Sequence, residues 1–324
     1  MSELTREKIY RNELIKAGAT GNNNLERIRS LQNGGGGGTP KEEIKEIGNF
    51  SYGLSQMASA IVGDNIYLFG GFIGGSHNDS TADIHVFNTK SKQVQKVAEM
   101  PNYNYRSLTS ATVGNFVYLF GGRRKLGSSD SANNLIFRFN VTNNEAEQIS
   151  VLEQYEDNYR CAVAVGGRIY LLRPNVTTMY IEYYDIVNET VVSTGKNFRI
   201  TTSGDLQEVK AIAVGGFIYY FYDGKISKYN VDTKELTELS ITTPETLNGE
   251  AITVIGGDIY LFGGISDSVY KFSTANETIE KLSLKFNYDY SATQALGNNI
   301  YLLGGISLVD YNQSPKIFEL KVQL

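Results

Sequence analysis

Histidine and cysteine, which bind metals and act in many catalytic sites, are rare in this 324-residue sequence, whereas its carboxylates leave acid–base chemistry open. The chain has two histidines, His77 in a loop rich in glycine and serine and His85 inside a strand-like segment, where it is predicted on the strand surface. Its single cysteine, Cys161, cannot form an internal disulfide, and its apolar surroundings, "CAVAV", predict a buried thiol. These groups lack the spacing of a metal cluster. The sequence therefore predicts no metal, no cofactor and no catalytic residue.

Tyrosines and arginines in short polar segments have the chemistry of recognition instead. The segments "PNYNYRS", "QYEDNYRC" and "KFNYDYS" each precede a run of small and apolar residues. Tyrosine offers rigid contact area with a hydrogen-bonding tip, and arginine offers a planar fork of donors. This mixture is typical of protein or glycan binding. The alternative is structural, with tyrosines packed between repeats and with Arg106 and Arg160 holding the fold.

Charge and hydropathy exclude several classes of protein. The net charge of −5 does not favour a nucleic-acid binder, which usually has a basic patch. No apolar run approaches the roughly 18 residues of a membrane span. The first residues, "MSELTREKIY", lack the apolar stretch of a secretory signal. We therefore expect no nucleic acid and no membrane insertion, and a location in the cytoplasm or, after release by lysis, in a virion.

The elements that must position these segments are repeats, which begin at residue 57. Six apolar segments each contain a short turn rich in glycine and asparagine, which predicts a tight β-hairpin. A third, aromatic-rich strand and a fourth, more charged strand follow, as "IHVFN" and "VQKV" do in the first unit. Four antiparallel strands repeated every 40–50 residues or so are typical of a β-propeller blade. The tyrosines that mark the second strand of each unit are Tyr67, Tyr118, Tyr170, Tyr219, Tyr260 and Tyr301.

The sequence resembles the kelch family of propellers at particular residues. Kelch blades end their second strand with a Gly-Gly pair, and four units have one: Gly70-Gly71, Gly121-Gly122, Gly263-Gly264 and Gly304-Gly305. The third-strand aromatic of the family is present as Phe87, Phe139, Tyr184, Tyr229 and Phe272. The family's tryptophan is absent from the whole chain. The third and fourth units also lack the glycine pair and have Leu172-Arg173 and Tyr222-Asp223 there. The resemblance covers residues 41–324 and implies an all-β, six-bladed kelch-type β-propeller.

The sixth unit lacks an outer strand, because the chain ends soon after "KIFELK". The missing strand is predicted at the other end of the repeats. Ile44 and Ile47 reproduce the three-residue spacing of Val94 and Val97 in an outer strand. We therefore predict that residues 42–48 pair with "KIFELK" and close the ring, which leaves no long edge exposed.

The resemblance also predicts a binding face. A propeller brings its fourth-to-first-strand connections to the same face as its second-to-third-strand connections. Arg123 and Arg124, in a long insertion outside the repeat pattern, are preferred over the repeated tyrosines as contact residues. The predicted ligand-binding face consists of Tyr103, Tyr105, Arg106, Arg123, Arg124, Tyr155, Tyr159, Arg160, Arg173, Tyr288 and Tyr290.

Residues 1–33 differ in kind from the repeats. The segments "REKIYRNELIKA" and "LERIRSL" have apolar residues at helical spacing, and each is too short to be stable alone. They predict a short helical attachment segment, joined through a Gly-rich linker, residues 34–40, to the propeller, residues 41–324. The alternative is a frayed or self-packed terminus. The predicted partner-docking residues are Ile9, Tyr10, Leu14, Leu25, Ile28 and Leu31.

The segment "LTREKIYRNELIKAG" resembles attachment segments of tailed-phage structural proteins. That resemblance implies a phage or prophage tail-associated component, held by a tail or baseplate protein and displaying a protein- or glycan-binding face. We therefore predict a non-enzymatic binding protein. The alternatives are a cytoplasmic kelch scaffold for protein–protein interaction and a sugar-modifying kelch enzyme of the sialic-acid mutarotase type.

Overall fold

The computed structural model describes residues 42–74, 79–126, 129–151, 161–175, 177–200, 209–243, 251–264 and 266–323. The chain divides into two compact units, Met1–Glu43 and Ile44–Leu324. Of the first unit only residues 42 and 43 are described, so the predicted helices, the docking residues and the linker lie outside the described residues. The part of the chain that is described forms strands and turns, and it contains no helix long and apolar enough to cross a membrane.

The strands of the second unit are short and alternate with tight turns. In chain order they are β1 (Ile44–Asn49), β2 (Ala58–Val62), β3 (Asn65–Phe69), β4 (Asp83–Asn88), β5 (Val94–Glu99), β6 (Tyr105–Arg106), β7 (Thr109–Val113), β8 (Phe116–Phe120), β9 (Arg123–Leu126), β10 (Ser129–Ala132), β11 (Leu135–Asn140), β12 (Glu145–Val151), β13 (Cys161–Val165), β14 (Arg168–Asn175), β15 (Thr178–Asp185), β16 (Thr190–Arg199), β17 (Lys210–Val214), β18 (Phe217–Tyr222), β19 (Lys225–Asn230), β20 (Leu236–Thr242), β21 (Ala251–Ile255), β22 (Asp258–Phe262), β23 (Ser268–Ser273), β24 (Thr278–Lys285), β25 (Tyr288–Asp289), β26 (Ala292–Leu296), β27 (Asn299–Leu303), β28 (Ile306–Ser307) and β29 (Lys316–Lys321).

Six antiparallel sheets of four strands form the blades. Blade 1 is β2-β3-β4-β5, blade 2 is β7-β8-β11-β12, blade 3 is β13 to β16, blade 4 is β17 to β20, and blade 5 is β21 to β24. Blade 6 is β26-β27-β29-β1. The first strands contact one another in a closed series, β2, β7, β13, β17, β21, β26 and β2 again. This closed series surrounds a central channel and confirms the predicted six-bladed propeller.

The ring closes through β1, as the sequence predicts. Ile44 lies opposite Leu320 and Asn49 lies opposite Lys316 in an antiparallel pair. An ion pair of 3.0 Å between the Lys316 Nζ and a carboxylate oxygen of Glu46 also joins the two strands. The outer strand of the last blade therefore comes from the beginning of the second unit, and the two ends of this unit are held together.

The repeated aromatic residues join each blade to the next. At five of the six junctions the marker tyrosine of one blade packs its ring against the third-strand aromatic of the following blade; at the junction of blades 5 and 6 that third-strand residue is Leu320. Aromatic pairs of this kind stabilise a fold beyond the apolar area that they bury. The ring centroids are 5.5 Å apart for Tyr67 and Phe139, 6.1 Å for Tyr118 and Tyr184, 5.8 Å for Tyr170 and Tyr229, 5.7 Å for Tyr219 and Phe272, and 5.9 Å for Tyr301 and Phe87.

The Gly-Gly pairs hold the connections between blades. The backbone N–H of Gly71 donates to the carbonyl oxygen of Tyr105 at 2.8 Å, and the N–H of Gly305 donates to that of Leu54 at 2.8 Å. At Gly122, which has a φ of +75°, a Cβ would lie only 2.6 Å from the carbonyl oxygen of Arg106. Only glycine adopts this conformation readily and leaves this space. The Gly-Gly pairs therefore let the inter-blade connections pack closely against the end of the second strand and hydrogen-bond to it, and they are called glycine seats below.

Candidate functional site

The first residues of all six first strands meet at one end of the central channel. This is the end at which the fourth-to-first-strand connections arrive, and it is called the mouth below. Its cavity has a volume of about 210 Å³, and Lys210 is the one charged residue among the lining residues that the structure describes. The lining residues are Met57, Ala58, Ser59, Leu108, Thr109, Ser110, Cys161, Ala162, Lys210, Ala211, Ala251, Ile252, Ser291, Ala292 and Thr293.

Lys210 and Asp289 place opposite charges near the mouth. Lys210 begins β17, where it lies opposite Phe221 in the pairing with β18, and its side chain makes no hydrogen bond or ion pair with any residue that the structure describes. Asp289, on the connection between blades 5 and 6, accepts a hydrogen bond of 2.8 Å from the backbone N–H of Tyr290. Burial raises the pKa of the Asp289 carboxyl, against the opposing effects of the Tyr290 N–H and the Lys210 charge. A carboxyl with a raised pKa holds a proton more readily than an ordinary aspartate, which suits it to proton transfer.

Three consecutive connections are hydrogen-bonded into a collar beside this cavity. The N–H of Gln56 donates to the Tyr290 carbonyl at 3.2 Å, and the N–H of Ser107 donates to the Gln56 carbonyl at 2.7 Å. The side-chain oxygen of Gln56 accepts from Ser107 Oγ and from Arg106 Nη1, each at 3.1 Å. Tyr290, Gln56 and Ser107 all have φ near +50°. Such backbone costs of order 1–3 kcal/mol for each non-glycine residue, so the collar is held by its hydrogen bonds and its glycine seats.

Arg106 and Arg123 lie directly opposite each other in the pairing of β6 with β9. Residues opposite each other in an antiparallel pair project from the same side of the sheet with Cβ atoms about 5 Å apart. Two positive side chains are therefore brought together next to the collar. Like charges in this arrangement repel each other.

Arg124 and its neighbours occupy the other side of the same small sheet. The guanidinium of Arg124 lies 5.4 Å from the ring centroid of the half-buried Tyr103, and its Nε is buried without a hydrogen bond to any described residue. Tyr105, opposite Arg124 in the pairing, is 0% exposed and donates its hydroxyl to the carbonyl of Pro101 at 2.9 Å. Tyr105 therefore supports the sheet, which corrects its predicted place among the contact residues.

Two other predicted contact residues also make contacts within the fold. Arg173 Nε donates to Glu182 Oε1 at 2.9 Å, and the two side chains are only 13% and 6% exposed. The ring of Tyr288 packs on that of Phe318 with centroids 5.1 Å apart. Arg173 therefore supports blade 3, and the half-buried Tyr288 packs against blade 6. The assignment of these two residues to ligand contact stays a prediction. Tyr155, Tyr159 and Arg160 lie outside the described residues.

The histidine and cysteine predictions have different outcomes. His85 is not a strand-surface residue, because it is 6% exposed and lies under the rings of Phe50 and Tyr52. These rings come from the connection between blades 6 and 1, which alternation along β4 cannot reveal. Cys161 is buried, as predicted, at the mouth, and its Sγ lies 3.2 Å from the carbonyl oxygen of Val209. Among the described residues no group of three or more histidines, cysteines, aspartates and glutamates could hold a metal ion.

The sequence analysis missed Lys210, Asp289, Gln56 and Ser107. A signal for Lys210 was present, since the six first strands begin with Ala, Thr, Cys, Lys, Ala and Ala. A lysine at the start of one of six otherwise small or apolar strands indicates a charge aimed at the axis that these strands share. No comparable signal exists for Gln56 and Ser107, because their role depends on contacts between connections that are remote in sequence.

The architecture and the seats of the connections define a kelch-type propeller, and comparison with known proteins agrees. Residues 53–101 match the Kelch motif, which confirms the resemblance read from the glycine pairs. No curated protein sequence matches the chain. Among solved structures it is similar to YjhT, with a TM-score of 0.70 and 11% identity over 85% of this chain and 97% of that one.

The similarity to YjhT corrects one prediction. YjhT is a sialic acid mutarotase-like kelch enzyme, so this fold provides no ground for the prediction that the present protein is not an enzyme, and that prediction is wrong. At 11% identity the likeness shows the fold alone. The choice of ligand therefore has to be argued from the residues of this mouth.

Proposed function

We propose that the mouth binds a single carboxylated sugar ring. The observation that supports this most is Lys210, the one charged residue among the described lining of the cavity. Its side chain has no ion pair with any described residue. A buried or half-buried ammonium is costly unless an anion compensates it. A carboxylate at this position provides that compensation.

The size and polarity of the site support a sugar ring as the carrier of the carboxylate. A cavity of about 210 Å³ is smaller than the roughly 300 Å³ at which pockets for drug-sized ligands begin. The lining offers the hydroxyls of Ser59, Ser110 and Thr109 next to alanine and methionine side chains. Hydroxyls both donate and accept, and so match the hydroxyls of a sugar. Arg106 and Arg123, beside the collar, add positive potential that attracts an acidic ligand.

Calorimetry with two matched sugars tests this proposal. Glucuronate should bind the full chain and glucose should bind at least tenfold more weakly, since the two differ in the carboxylate. Replacing Lys210 by methionine should weaken glucuronate binding at least tenfold. Replacing Lys225 by methionine is the control, because this lysine of the same blade pairs with Glu238 at the surface. Equal binding of the two sugars, or unchanged binding by Lys210→Met, would remove the support for the site.

A second candidate function is proton transfer on that sugar. It is supported by Asp289, whose raised pKa lets it exchange a proton near the Lys210 ammonium. Interconversion of sugar anomers needs such a group, since a proton leaves the anomeric hydroxyl and another reaches the ring oxygen as the ring opens. Exchange spectroscopy of glucuronate anomers should show acceleration by the wild type and loss of that acceleration in Asp289→Asn. Binding of glucuronate without acceleration would leave the mouth as a recognition site.

We also propose that residues 1–33 attach the protein to a phage tail or baseplate protein, so that the propeller presents its mouth outside the particle. The support is the resemblance of "LTREKIYRNELIKAG" to attachment segments. Full-length protein should co-sediment with tail particles, and a triple variant, Leu14→Asp with Leu25→Asp and Ile28→Asp, should not. Co-sedimentation of both would contradict the tether, and binding of a cytoplasmic protein instead would favour the scaffold alternative.

A further inference from the structure

A second cleft lies between blades 1 and 2, at the end of the propeller opposite the mouth. It has a volume of about 400 Å³. The turns that join first to second strands and third to fourth strands surround it, which places it away from the collar. Among the residues that the structure describes, no charged one lines this cleft. The lining consists of Asn65, Tyr67, Val86, Asn88, Ser91, Gln93, Gln95, Val97, Val141 and Asn144.

The neutral lining is specific to this cleft. In each blade the residue opposite the marker tyrosine on the third strand faces the same inter-blade groove. Blades 2, 4, 5 and 6 have a charged residue there, and each one is ion-paired. These residues are Arg138, which pairs with Glu147 at 2.6 Å, Lys228, which pairs with Glu277, Lys271, which pairs with Asp258 at 2.9 Å, and Glu319, which pairs with Lys92 at 2.9 Å. Blade 1 has Val86, and the fourth-strand residue opposite it is Gln95.

The turn that enters the groove from the next blade follows the same rule. One residue of each third-to-fourth-strand turn has a φ between +50° and +60°, and it is Lys92, Asn144, Glu189, Lys234 or Glu277. The residue at this position is charged in every turn except that of blade 2, where it is Asn144. The cleft between blades 1 and 2 is therefore open and neutral because Val86, Gln95 and Asn144 are all uncharged. Blade 3 also has uncharged residues at the two strand positions, Tyr183 and Val192, but the turn of the blade that follows it has the charged Lys234.

The floor of the cleft offers a hydroxyl that is not used by the fold. In blade 6 the hydroxyl of Tyr301 lies 3.4 Å from Asn299 Nδ2. The hydroxyl of Tyr67, at the corresponding position of blade 1, makes no hydrogen bond with any residue that the structure describes. Its ring is fixed against Phe139 of blade 2, with centroids 5.5 Å apart. This leaves a rigid aromatic residue with an accessible donor and acceptor at the floor.

We infer that this cleft binds an uncharged sugar unit of a glycan. The exposed carboxamides of Gln93 and Gln95 and the Tyr67 hydroxyl both donate and accept hydrogen bonds, which is what sugar hydroxyls require. Val86, Val97 and Val141 provide apolar surface for the C–H side of a pyranose ring. The absence of charge means that a neutral ligand displaces no ion pair on entering. This site is independent of the mouth and takes the opposite class of sugar.

Saturation-transfer NMR on the full chain tests this inference with maltose, cellobiose and N,N′-diacetylchitobiose as probes. At least one of these disaccharides should bind. The double variant Val86→Arg with Gln95→Glu, which copies Arg138 and Glu147 of blade 2, should weaken binding at least tenfold. Tyr67→Phe should weaken it about fivefold, since one hydrogen bond is lost. Lys210→Met, at the mouth, should leave it unchanged.

A second variant guards against misfolding of the double variant. Asn144→Glu introduces the residue that blade 5 tolerates at the same φ, as Glu277, and should also weaken binding at least fivefold while melting at the wild-type temperature. The inference is overturned if none of the three disaccharides binds at millimolar concentration, or if both cleft variants bind them as the wild type does. Binding of a neutral Gly-Asn-Gly-Gln-Gly peptide in place of the sugars would equally overturn it and assign the cleft to a protein partner.

Discussion

In blades 1, 2 and 6 a Gly-Gly pair leaves room above the third strand, whereas in blades 3 and 4 side chains fill that room. The side chain that lies beneath this room belongs to the third-strand residue one position before the residue opposite the marker tyrosine. In blades 1, 2 and 6 this third-strand residue is aromatic, and an aromatic side chain from the connection that precedes the blade packs over it. The His85 ring packs against the rings of Phe50 and Tyr52. The ring centroids of Phe137 and Tyr105 are 5.0 Å apart.

Blades 3 and 4 have a polar residue at the same third-strand position, and a side chain of the same blade packs over it. In blade 3 this residue is Glu182, which is bound by Arg173. In blade 4 it is Ser227, whose hydroxyl lies 2.8 Å from that of Tyr222. Arg173 and Tyr222 occupy the positions where the other blades have glycine. Each of them contacts the third-strand residue that a side chain of the preceding connection contacts in blades 1, 2 and 6.

The paths of the chain differ accordingly. Without the glycines, the second and third strands pair up to the turn, as far as Asn175 with Thr178 in blade 3 and Tyr222 with Lys225 in blade 4. With them, the chain leaves the sheet and forms the longer second-to-third connections, including β9 and β10 with Arg123 and Arg124. The glycine pairs are thus what permits connections that can carry a binding site.

The largest effect on stability is expected from breaking the buried ion pair between Arg173 and Glu182 in blade 3. Arg173→Met leaves the 6%-exposed Glu182 side chain as a buried charge without its ion pair, which should cost about 3–5 kcal/mol of unfolding free energy. Denaturant titration measures this loss. The matched control is Arg173→Met with Glu182→Leu, which removes both charges and should recover most of the stability. A double variant as unstable as the sum of its single variants would show that the pair does not act as a unit.

The next largest effect is expected at a glycine seat. A Cβ at Gly304, which has a φ of +64°, would overlap the backbone carbonyl of Leu54, so Gly304→Ala should destabilise the fold by about 3 kcal/mol. Gly297, with a φ of +58° and no atom within 4 Å of the added Cβ, is the control. Gly297→Ala incurs only the left-handed backbone cost of about 1 kcal/mol. Equal melting temperatures for the two variants would contradict the seat.

A pH-dependent effect is expected from the ring position of blade 1. Burial lowers the pKa of His85 below its usual value of 6.5. The unfolded chain therefore binds a proton below pH 6.5 that the folded chain does not bind, so stability is full above pH 6.5 and falls as the pH decreases. The slope approaches about 1.4 kcal/mol per pH unit.

The substitution His85→Phe, which copies Phe137 and Phe318, should remove this component of the pH dependence. Unfolding measured between pH 5 and pH 8 should show a constant difference in stability between wild type and variant above pH 6.5 and a shift of that difference in favour of the variant towards pH 5. Parallel stability curves over this range would mean that His85 does not titrate as its burial requires.

The smallest effect is expected from a surface pair in blade 4. Lys225 and Glu238 lie 3.1 Å apart but are 41% and 52% exposed. Solvent and salt weaken such a pair, so Lys225→Ala should change the unfolding free energy by less than about 0.5 kcal/mol. Thermal denaturation in low and high salt measures this. A loss comparable to that of Arg173→Met would show that exposure does not separate the two ion pairs.

The fold was predictable because its signals are local and repeated. Each hairpin shows its own turn, and the closing strand has the same spacing of Ile44 and Ile47 as other outer strands. The site was less predictable because its residues act through partners remote in sequence. The burial of Tyr105 depends on Phe137, and the burial of His85 depends on Phe50. The ion pair of Arg173 could have been predicted, since Glu182 lies opposite the same strand only nine residues later.

The pairing of β1 with β29 also has a consequence for synthesis. β1 emerges from the ribosome at residue 44, and its partner Leu320 emerges 276 residues later (320 − 44). At roughly 5–20 residues per second, β1 remains without its partner for about a quarter of a minute to a minute. Lys45 and Glu46, exposed charges on this waiting strand, discourage wrong pairing of its edge with other chains. The sequence of the closing strand therefore both pairs with β29 in the folded protein and limits aggregation before β29 is synthesised.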